Sequence, residues 1–312
     1  MKPRVVVIET VRDCNLRCKA CPTVYARDFP QGIMDMESFR RIADNAADAG
    51  FKMFGVTGWG EPLMDPEYRE KMRYLKRKGL IVGSTTNSLL LTEELMRFMV
   101  EEGLDYLWFS VDAFHLGKNK RAYEAVVRKM EVICELKERL NSKNPEIGAT
   151  VVVDTDSVEI LDFLIPKLSP VSSSVGIIPT TVIPTREVYS KLVPRGTLEL
   201  YREKFTSMGF NNLNFPYLDP PPKNDCRSGV FENFYVTVRG ELCPCCVLAM
   251  EFPLISFEGK TGHTKKLVWG NLKRDDFSRL LVELEENEFY LLFRSGKIPK
   301  ECELCNAWRK ME

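Results

Sequence analysis

The chain has 312 residues, with 44 Lys and Arg set against 44 Asp and Glu, so its formal net charge is zero. That balance excludes bulk electrostatic attraction to nucleic acid or to an anionic membrane. No apolar run approaches the ~20 residues that a membrane span needs, and the first apolar run, VVVI after MKPR, is too short for a secretory signal. A cytoplasmic protein is expected.

From residue 4 to about 208 one unit recurs: a short β-branched run, a polar loop and an amphipathic helix. RVVVIE (4–9) reads as a strand and leads into CNLRCKAC. A helix over 36–49 sets Met36, Phe39, Ile42, Ala43 and Ala46 on one face and stops at Gly50. KMFGVT (52–57) is a second strand, followed by GWGEP and by a helix that opens at Asp65-Pro66 and closes at Gly79. A strand over 80–85 leads into TTNS and a helix over 92–102. DYLWFSV (105–111) leads into DAFH and a long helix over about 119–140. IGATVVV (147–153) and SSVGIIP (173–179) are strands five and six, with helix 156–168 between them and helix 195–208 after them.

Such a series gives an α/β fold with a parallel sheet. CNLRCKAC, GWGEP, TTNS and SVD each follow one of the first four strands. They therefore converge on the C-terminal end of the sheet, where β/α barrels build their sites. The reading is a partial (β/α)6 barrel over 1–210, open along one side. At 211–225 the composition turns proline-rich, which marks a linker. In 226–312 the β–α rhythm is lost: FYVTVRGEL enters a hairpin turn at Gly240, and 275–294 has a helical pattern. Six of the chain's ten cysteines fall there, as expected of a small metal-supported domain of a β-hairpin plus a helix.

In a reducing compartment clustered cysteines bind metal or do redox chemistry rather than form disulfides. Cys14, Cys18 and Cys21 sit in one compact loop with no histidine beside them. Thiolates suit zinc and iron–sulfur clusters, but structural zinc takes four ligands in paired units. Three thiolates can hold three irons of a 4Fe-4S cube and leave the fourth open to a ligand. The competing reading is a buried helix face at i, i+4 and i+7, which polar Asn15, Arg17 and Lys19 and the following Pro22 oppose. Cys134, inside EVICELKERL, reads as a core residue, and His115 and His263 as surface or internally satisfied polar groups. KTGHTKK (260–266) reads as a solvated basic turn.

C-x3-C-x2-C after the first strand of a partial barrel resembles the radical S-adenosylmethionine (SAM) enzymes, over residues 4 to about 210. The resemblance implies a SAM-binding 4Fe-4S cluster on Cys14, Cys18 and Cys21. It implies that Gly60, Glu61 and Pro62 hold the methionine amino group, that Thr86 and Asn87 lie near the cofactor, and that Ser110 and Asp112 reach the ribose. Ala20 stands where many members carry an aromatic residue, and Ser88 and Ala113 where many carry glycine. Cys226-x13-Gly240-x4-Cys245, then Gly270-Asn271, then Cys302-x2-Cys305, resembles the SPASM/Twitch extension. That implies one auxiliary 4Fe-4S cluster on Cys226, Cys245, Cys302 and Cys305, with Cys243 as an alternative to Cys245. A four-cysteine zinc site is the competing reading.

The implied reaction is one-electron reduction by an external donor such as ferredoxin or flavodoxin, cleavage of SAM to a 5′-deoxyadenosyl radical, and removal of a hydrogen atom from substrate. A closed auxiliary cluster favours dehydrogenation or oxidative bond formation, because it can take the electron an oxidised product leaves behind. The rival outcome is epimerisation, with Cys243 or Cys246 returning a hydrogen atom. A non-catalytic electron-transfer or scaffold protein and a radical methyltransferase are further alternatives. The first strand begins at residue 4 without a preceding leader-binding domain, so the expected substrate is a small molecule, or a peptide presented by a separate protein.

Overall fold

The β-branched runs pair as the alternation requires. In the computed structural model, which describes residues 5–26, 31–221, 225–230, 232–309 and 311, the strands β1 (Val5–Ile8), β2 (Met53–Val56), β3 (Ile81–Thr86), β4 (Tyr106–Asp112), β5 (Glu146–Val153) and β6 (Ser174–Pro179) lie side by side in that order, each parallel to the last. Arg4 of the expected first strand, 222–224 of the expected linker, and 231, 310 and 312 of the C-terminal segment lie outside the described residues. The register puts Val6 beside Phe54, Phe54 beside Val82, and Phe109 beside Ala149, so one parity of side chains forms a fully buried layer. The other parity faces the barrel interior and carries the polar residues Thr85, Ser110 and Asp112. Among the described residues no helix is long and apolar enough to cross a membrane.

Helices α1 (Met36–Asp48), α2 (Tyr68–Arg77), α3 (Glu93–Glu101), the short α4 (Ala113–Leu116), α5 (Lys120–Arg139), α6 (Leu161–Leu168), α7 (Arg186–Ser190) and α8 (Arg195–Ser207) fill the connections. Side-chain caps fix several starts, as where the Asp35 carboxylate accepts from Ser38 N at 2.7 Å. α2 starts later than the Asp65-Pro66 signal suggested. A 3-10 turn over Pro62–Met64 comes first, and the Asp65 carboxylate is taken up by Glu67 N at 2.9 Å and by the buried Lys71 ammonium at 2.7 Å.

The expected linker contains a seventh parallel strand, β7 (Leu213–Asn214), paired to β6. At the opposite edge β8 (Asn233–Val236) runs parallel to β1, with Phe234 beside Val6. β9 (Glu241–Cys243) returns antiparallel to β8 after the turn at Gly240, whose φ is +83°. β10 (Pro253–Ile255) and β11 (Thr261–His263) form a separate hairpin, and β12 (Gly270–Asn271) pairs with β9. The C-terminal segment thus continues the barrel's own sheet beyond β1. The helix expected over 275–294 is two, α9 (Phe277–Glu285) and α10 (Glu288–Arg294), because the Asn287 side chain accepts from Phe289 N at 3.0 Å and starts a new helix.

An aromatic seam locks the C-terminal segment to the barrel. Phe51, just before β2, stacks on Phe277 at 4.8 Å and meets Phe234 edge-on at 5.7 Å. Asn45 of α1 accepts from Phe277 N at 2.8 Å and donates to the Asp275 carbonyl at 2.7 Å. Truncation of a fully buried aromatic costs ~3–5 kcal/mol, so Phe51→Ala is expected to lower the melting temperature by several degrees with β-sheet content retained. Thermal unfolding followed by circular dichroism checks this, and an unchanged midpoint would show that the seam carries no stability.

Candidate active site

The cysteine loop follows β1 as irregular chain, not as a helix, which removes the helix-face reading of the three thiols. Cys14 N is held by the Asp13 carboxylate at 2.8 Å, Cys21 N by the Cys18 carbonyl at 2.9 Å, and Pro22 opens a 3-10 turn over Pro22–Val24. All three thiols are half-buried, and Cys21 lies near enough to disfavour ionisation of both Cys14 and Cys18. Burial, followed by Asp112 and the neighbouring thiols, pushes Cys18 up to about 12.

The next two loops are bolted onto the first. Gly60 passes so close that a Cβ there would collide with the carbonyl oxygens of Val11 and Asp13, and Glu61 N donates to Asp13 O at 2.8 Å. The buried Glu61 carboxylate accepts from Thr86 Oγ1 at 2.6 Å, Asn87 N at 2.8 Å and Leu63 N at 3.2 Å. Burial raises its pKa, and these hydrogen bonds oppose the rise. Asn87 Nδ2 in turn donates to Asn15 Oδ1 at 2.7 Å, closing a ring of loops β1–β2–β3. Ser88 adopts φ +66°, a conformation glycine reaches more easily, and donates its N–H to Thr86 Oγ1 at 2.9 Å.

These loops surround a cavity of about 290 Å³ at the C-terminal end of the strands. Cys14, Cys18, Cys21, Gly60, Glu61, Thr86, Asn87, Ser110 and Asp112 all line it. Pro62 does not; it lies buried behind the wall and begins the 3-10 turn. Ala20 also lines the cavity and packs on Ile183 and Ile255. Sequence reasoning passed over three residues here. Trp59 stands between this cavity and a second one, donating its indole N–H to the Cys246 carbonyl at 2.8 Å. His115, read as a surface or satisfied group, lines the cavity with a buried Nε2 that has no hydrogen-bond partner among the described residues. Glu9, fully buried at the end of β1, forms an ion pair with Arg12; an acid and a base three residues apart directly before the first cysteine was the available signal.

The second set of thiols gathers below. Cys245 is held far above the ordinary thiol range by burial first, then by Cys246, Cys305, Cys302 and Cys226 in turn. Cys305 N donates to the Cys302 carbonyl at 3.0 Å, and Arg227 N to the Ala307 carbonyl at 2.9 Å, which ties the Cys226 turn to the Cys302–Cys305 turn. Cys243 is fully buried among Tyr235, Ala249 and Cys246, with Glu241, Lys266, Arg12 and Glu9 as its charged neighbours. Cys245 and Cys246 line the second cavity, of about 330 Å³, with Val5, Val7, Trp59 and Tyr235; Cys243 does not. Cys134 packs half-buried against the barrel core.

The donor chemistry fits iron–sulfur clusters, since each set consists of soft thiols. Among the described residues no three or more His, Cys, Asp or Glu are grouped to hold a single metal ion. A cubane, whose thiolates each bind a different iron, asks for sulfurs more widely spread than one tetrahedral ion does.

A strand-ordered partial barrel whose first loop carries three thiols, joined to a segment carrying six more, defines an iron–sulfur enzyme class. Comparison with known families agrees: residues 8–159 match the radical SAM superfamily, and residues 226–306 match the SPASM iron–sulfur cluster-binding domain. The chain carries a radical SAM domain and a C-terminal SPASM domain; the cofactors are a 4Fe-4S cluster and SAM in the first and auxiliary iron–sulfur clusters in the second. It is 25% identical over 303 residues to the tungsten-containing aldehyde ferredoxin oxidoreductase cofactor-modifying protein of Pyrococcus furiosus, covering 93% of this chain and 83% of that protein. Its fold is similar to native anSMEcpe with bound AdoMet and Cp18Cys peptide, with a TM-score of 0.66, 17% identity and coverage of 98% and 86% of the two chains. It is likewise similar to Streptococcus suis SuiB bound to precursor peptide SuiA, with a TM-score of 0.65, 16% identity and coverage of 98% and 70%.

If Cys245 is an auxiliary-cluster ligand, anaerobically reconstituted Cys245→Ala will hold about four irons fewer per chain than wild type, while Cys243→Ala keeps the full complement. Iron and sulfide assays on both proteins check this, and loss of iron from Cys243→Ala alone would reverse the assignment.

Proposed function

We propose that the chain oxidises its substrate by a radical route, through dehydrogenation or oxidative bond formation. The observation that carries this reading is the junction of the two cavities. The cavity lined by Cys14, Cys18 and Cys21 and the cavity lined by Cys245 and Cys246 share the wall Thr57-Gly58-Trp59. A substrate in the barrel mouth therefore sits between the two thiol sets. When bound, the cofactors supply reductive cleavage of SAM to methionine and a 5′-deoxyadenosyl radical, removal of a substrate hydrogen atom and a sink for the electron left behind.

In this reading Cys14, Cys18 and Cys21 hold the SAM-binding cluster, and Cys226, Cys245, Cys302 and Cys305 hold one auxiliary cluster. Gly60 and Glu61 shape the seat of the methionine end, Thr86 and Asn87 hold Glu61 in place, and Ser110 and Asp112 face the nucleoside. Pro62 acts from behind the wall. An external one-electron donor of the ferredoxin or flavodoxin kind and a cytoplasmic setting complete the reading. SuiB and anSMEcpe were each captured with a peptide, which supports a peptide substrate; the name of the Pyrococcus relative supports a cofactor-like small molecule. One observation favours a second outcome, epimerisation. Cys246 lines the second cavity, where its thiol would be placed to return a hydrogen atom, whereas Cys243 lines neither cavity.

The test is anaerobic. With dithionite and SAM, the reconstituted wild type is expected to release 5′-deoxyadenosine, and a Cys14/Cys18/Cys21→Ala protein is expected to release none. Mass spectrometry of the nucleoside decides it. Failure of a fully iron-loaded wild type would leave an electron-transfer role instead.

A further inference from the structure

Helix α5 carries a lysine where its inner flank calls for an apolar residue. Val126 and Ile133, three positions before Lys129 and four after it, are buried in the core, and Lys129 is half-buried between them. An ammonium group withdrawn from water is ordinarily paired with a carboxylate. Among the described residues Lys129 forms no ion pair and donates instead to the Ser88 carbonyl, in the loop after β3. Burial lowers its pKa, and no neighbouring acid opposes the shift. The cost of desolvating the cation is thus set against one backbone oxygen.

That oxygen belongs to a residue in an unfavourable conformation. Ser88 is buried and adopts φ +66°, in the left-handed region that glycine enters freely and a residue with a Cβ enters at a cost. It is gripped on both sides: its N–H goes to Thr86 Oγ1 at 2.9 Å, and its carbonyl accepts from Leu91 N at 3.1 Å as well as from Lys129. Relaxation of Ser88 to a right-handed conformation would turn the carbonyl away and leave the ammonium without its partner. The ammonium therefore favours the left-handed conformation. Thr86 Oγ1, which accepts from Ser88 N, itself donates to the Glu61 carboxylate at 2.6 Å, and Asn87 N donates to the same carboxylate at 2.8 Å. A shift at Ser88 is felt at Glu61 through one hydroxyl.

We propose that Lys129 is a positioning residue for the SAM site, holding Ser88 left-handed and thereby Thr86 and Asn87 on Glu61. The proposal rests on the reading of the first cavity as the seat of SAM. Lys129 lines neither cavity, so it acts through the loop and not on the cofactor. Glycine reaches the same conformation unaided. Ser88→Gly is therefore the substitution that makes Lys129 dispensable, whereas a lysine that only packed α5 against the barrel would be needed as much in the Ser88→Gly protein as in wild type.

Lys129→Met, Ser88→Gly and the double variant are compared with wild type as anaerobically reconstituted full chains. SAM affinity is read by isothermal titration calorimetry, and amide hydrogen exchange of residues 84–91 by mass spectrometry before SAM is added. Lys129→Met is expected to weaken SAM about tenfold, the low end of what one charge-assisted hydrogen bond is worth. It is expected to speed exchange of that segment about tenfold while β1 and β5 keep wild-type rates. Ser88→Gly is expected to bind SAM within about twofold of wild type, and the double variant to recover both the affinity and the slow exchange. The inference is overturned if Lys129→Met leaves either SAM affinity or exchange unchanged, if exchange rises in β1 and β5 as much as in 84–91, or if the double variant is as impaired as Lys129→Met. The exchange arm needs no SAM, so the two readings fail separately. Faster exchange in Lys129→Met, reversed by Ser88→Gly, alongside a wild type that binds no SAM would refute the cofactor seat and leave the hold on Ser88 standing.

Discussion

Glu9 ends the first strand with its side chain wholly out of water, and a carboxylate in that position is tolerated only if it is paired and hydrogen-bonded. Its partners come from every part of the molecule that meets at the site. Arg12 of the cysteine loop binds it at 2.7 Å, Tyr235 of the C-terminal hairpin donates its hydroxyl at 2.8 Å, Val238 N donates at 3.2 Å, and Trp59 N of the second loop donates at 3.3 Å. Removing any one partner leaves the others around an under-compensated buried charge, so the four segments are held as a unit. Gly58 belongs to this knot as well, since a Cβ there would press on Glu9 and on the Tyr235 hydroxyl.

From this knot the site is built in both directions. Outward, the cysteine loop receives Gly60 and Glu61 at contact distance, and Glu61 then fixes the end of β3 through Thr86 and Asn87. Toward the C-terminal domain, β8 lies on the free edge of β1, so the hairpin that leads to Cys245 is placed by the barrel's own backbone ladder. Two thiol sets far apart in sequence are thereby held on either side of Trp59. The second set is supported by the seam of Phe51, Phe234 and Phe277 behind it.

What was legible in the sequence is what local pattern determines. Strand and helix periods are local, and so is the rule that loops after parallel strands gather at one end, so the sequence alone brings the first four loops together. Long-range pairing left no such trace. Leu213–Asn214 is too short and polar to announce a strand, and nothing in FYVTV reveals that it will lie beside VVVI some 230 residues earlier. The break at Asn287 was hidden because apolar spacing continues across it, while the local cap at Phe289 N overrides the pattern. CPCC offered adjacent thiols without distinguishing them; the structure separates them because Cys243 closes β9 facing the core and Cys245 lies beyond the strand. His115 was invisible for a different reason: an unmet hydrogen bond is a property of the assembled wall, not of the residue.

The central proposal is that Cys14, Cys18 and Cys21 would hold the cluster to which SAM binds, within the ring of loops anchored on Glu9. The most direct measurement is electron–nuclear double resonance on the dithionite-reduced protein with SAM labelled by ¹⁵N at the amino group and ¹⁷O at the carboxylate. Hyperfine coupling of both labels to a reduced cluster, absent from the triple cysteine variant, is the predicted result. A fully developed cluster signal in the wild type with no coupling to either label would contradict the account.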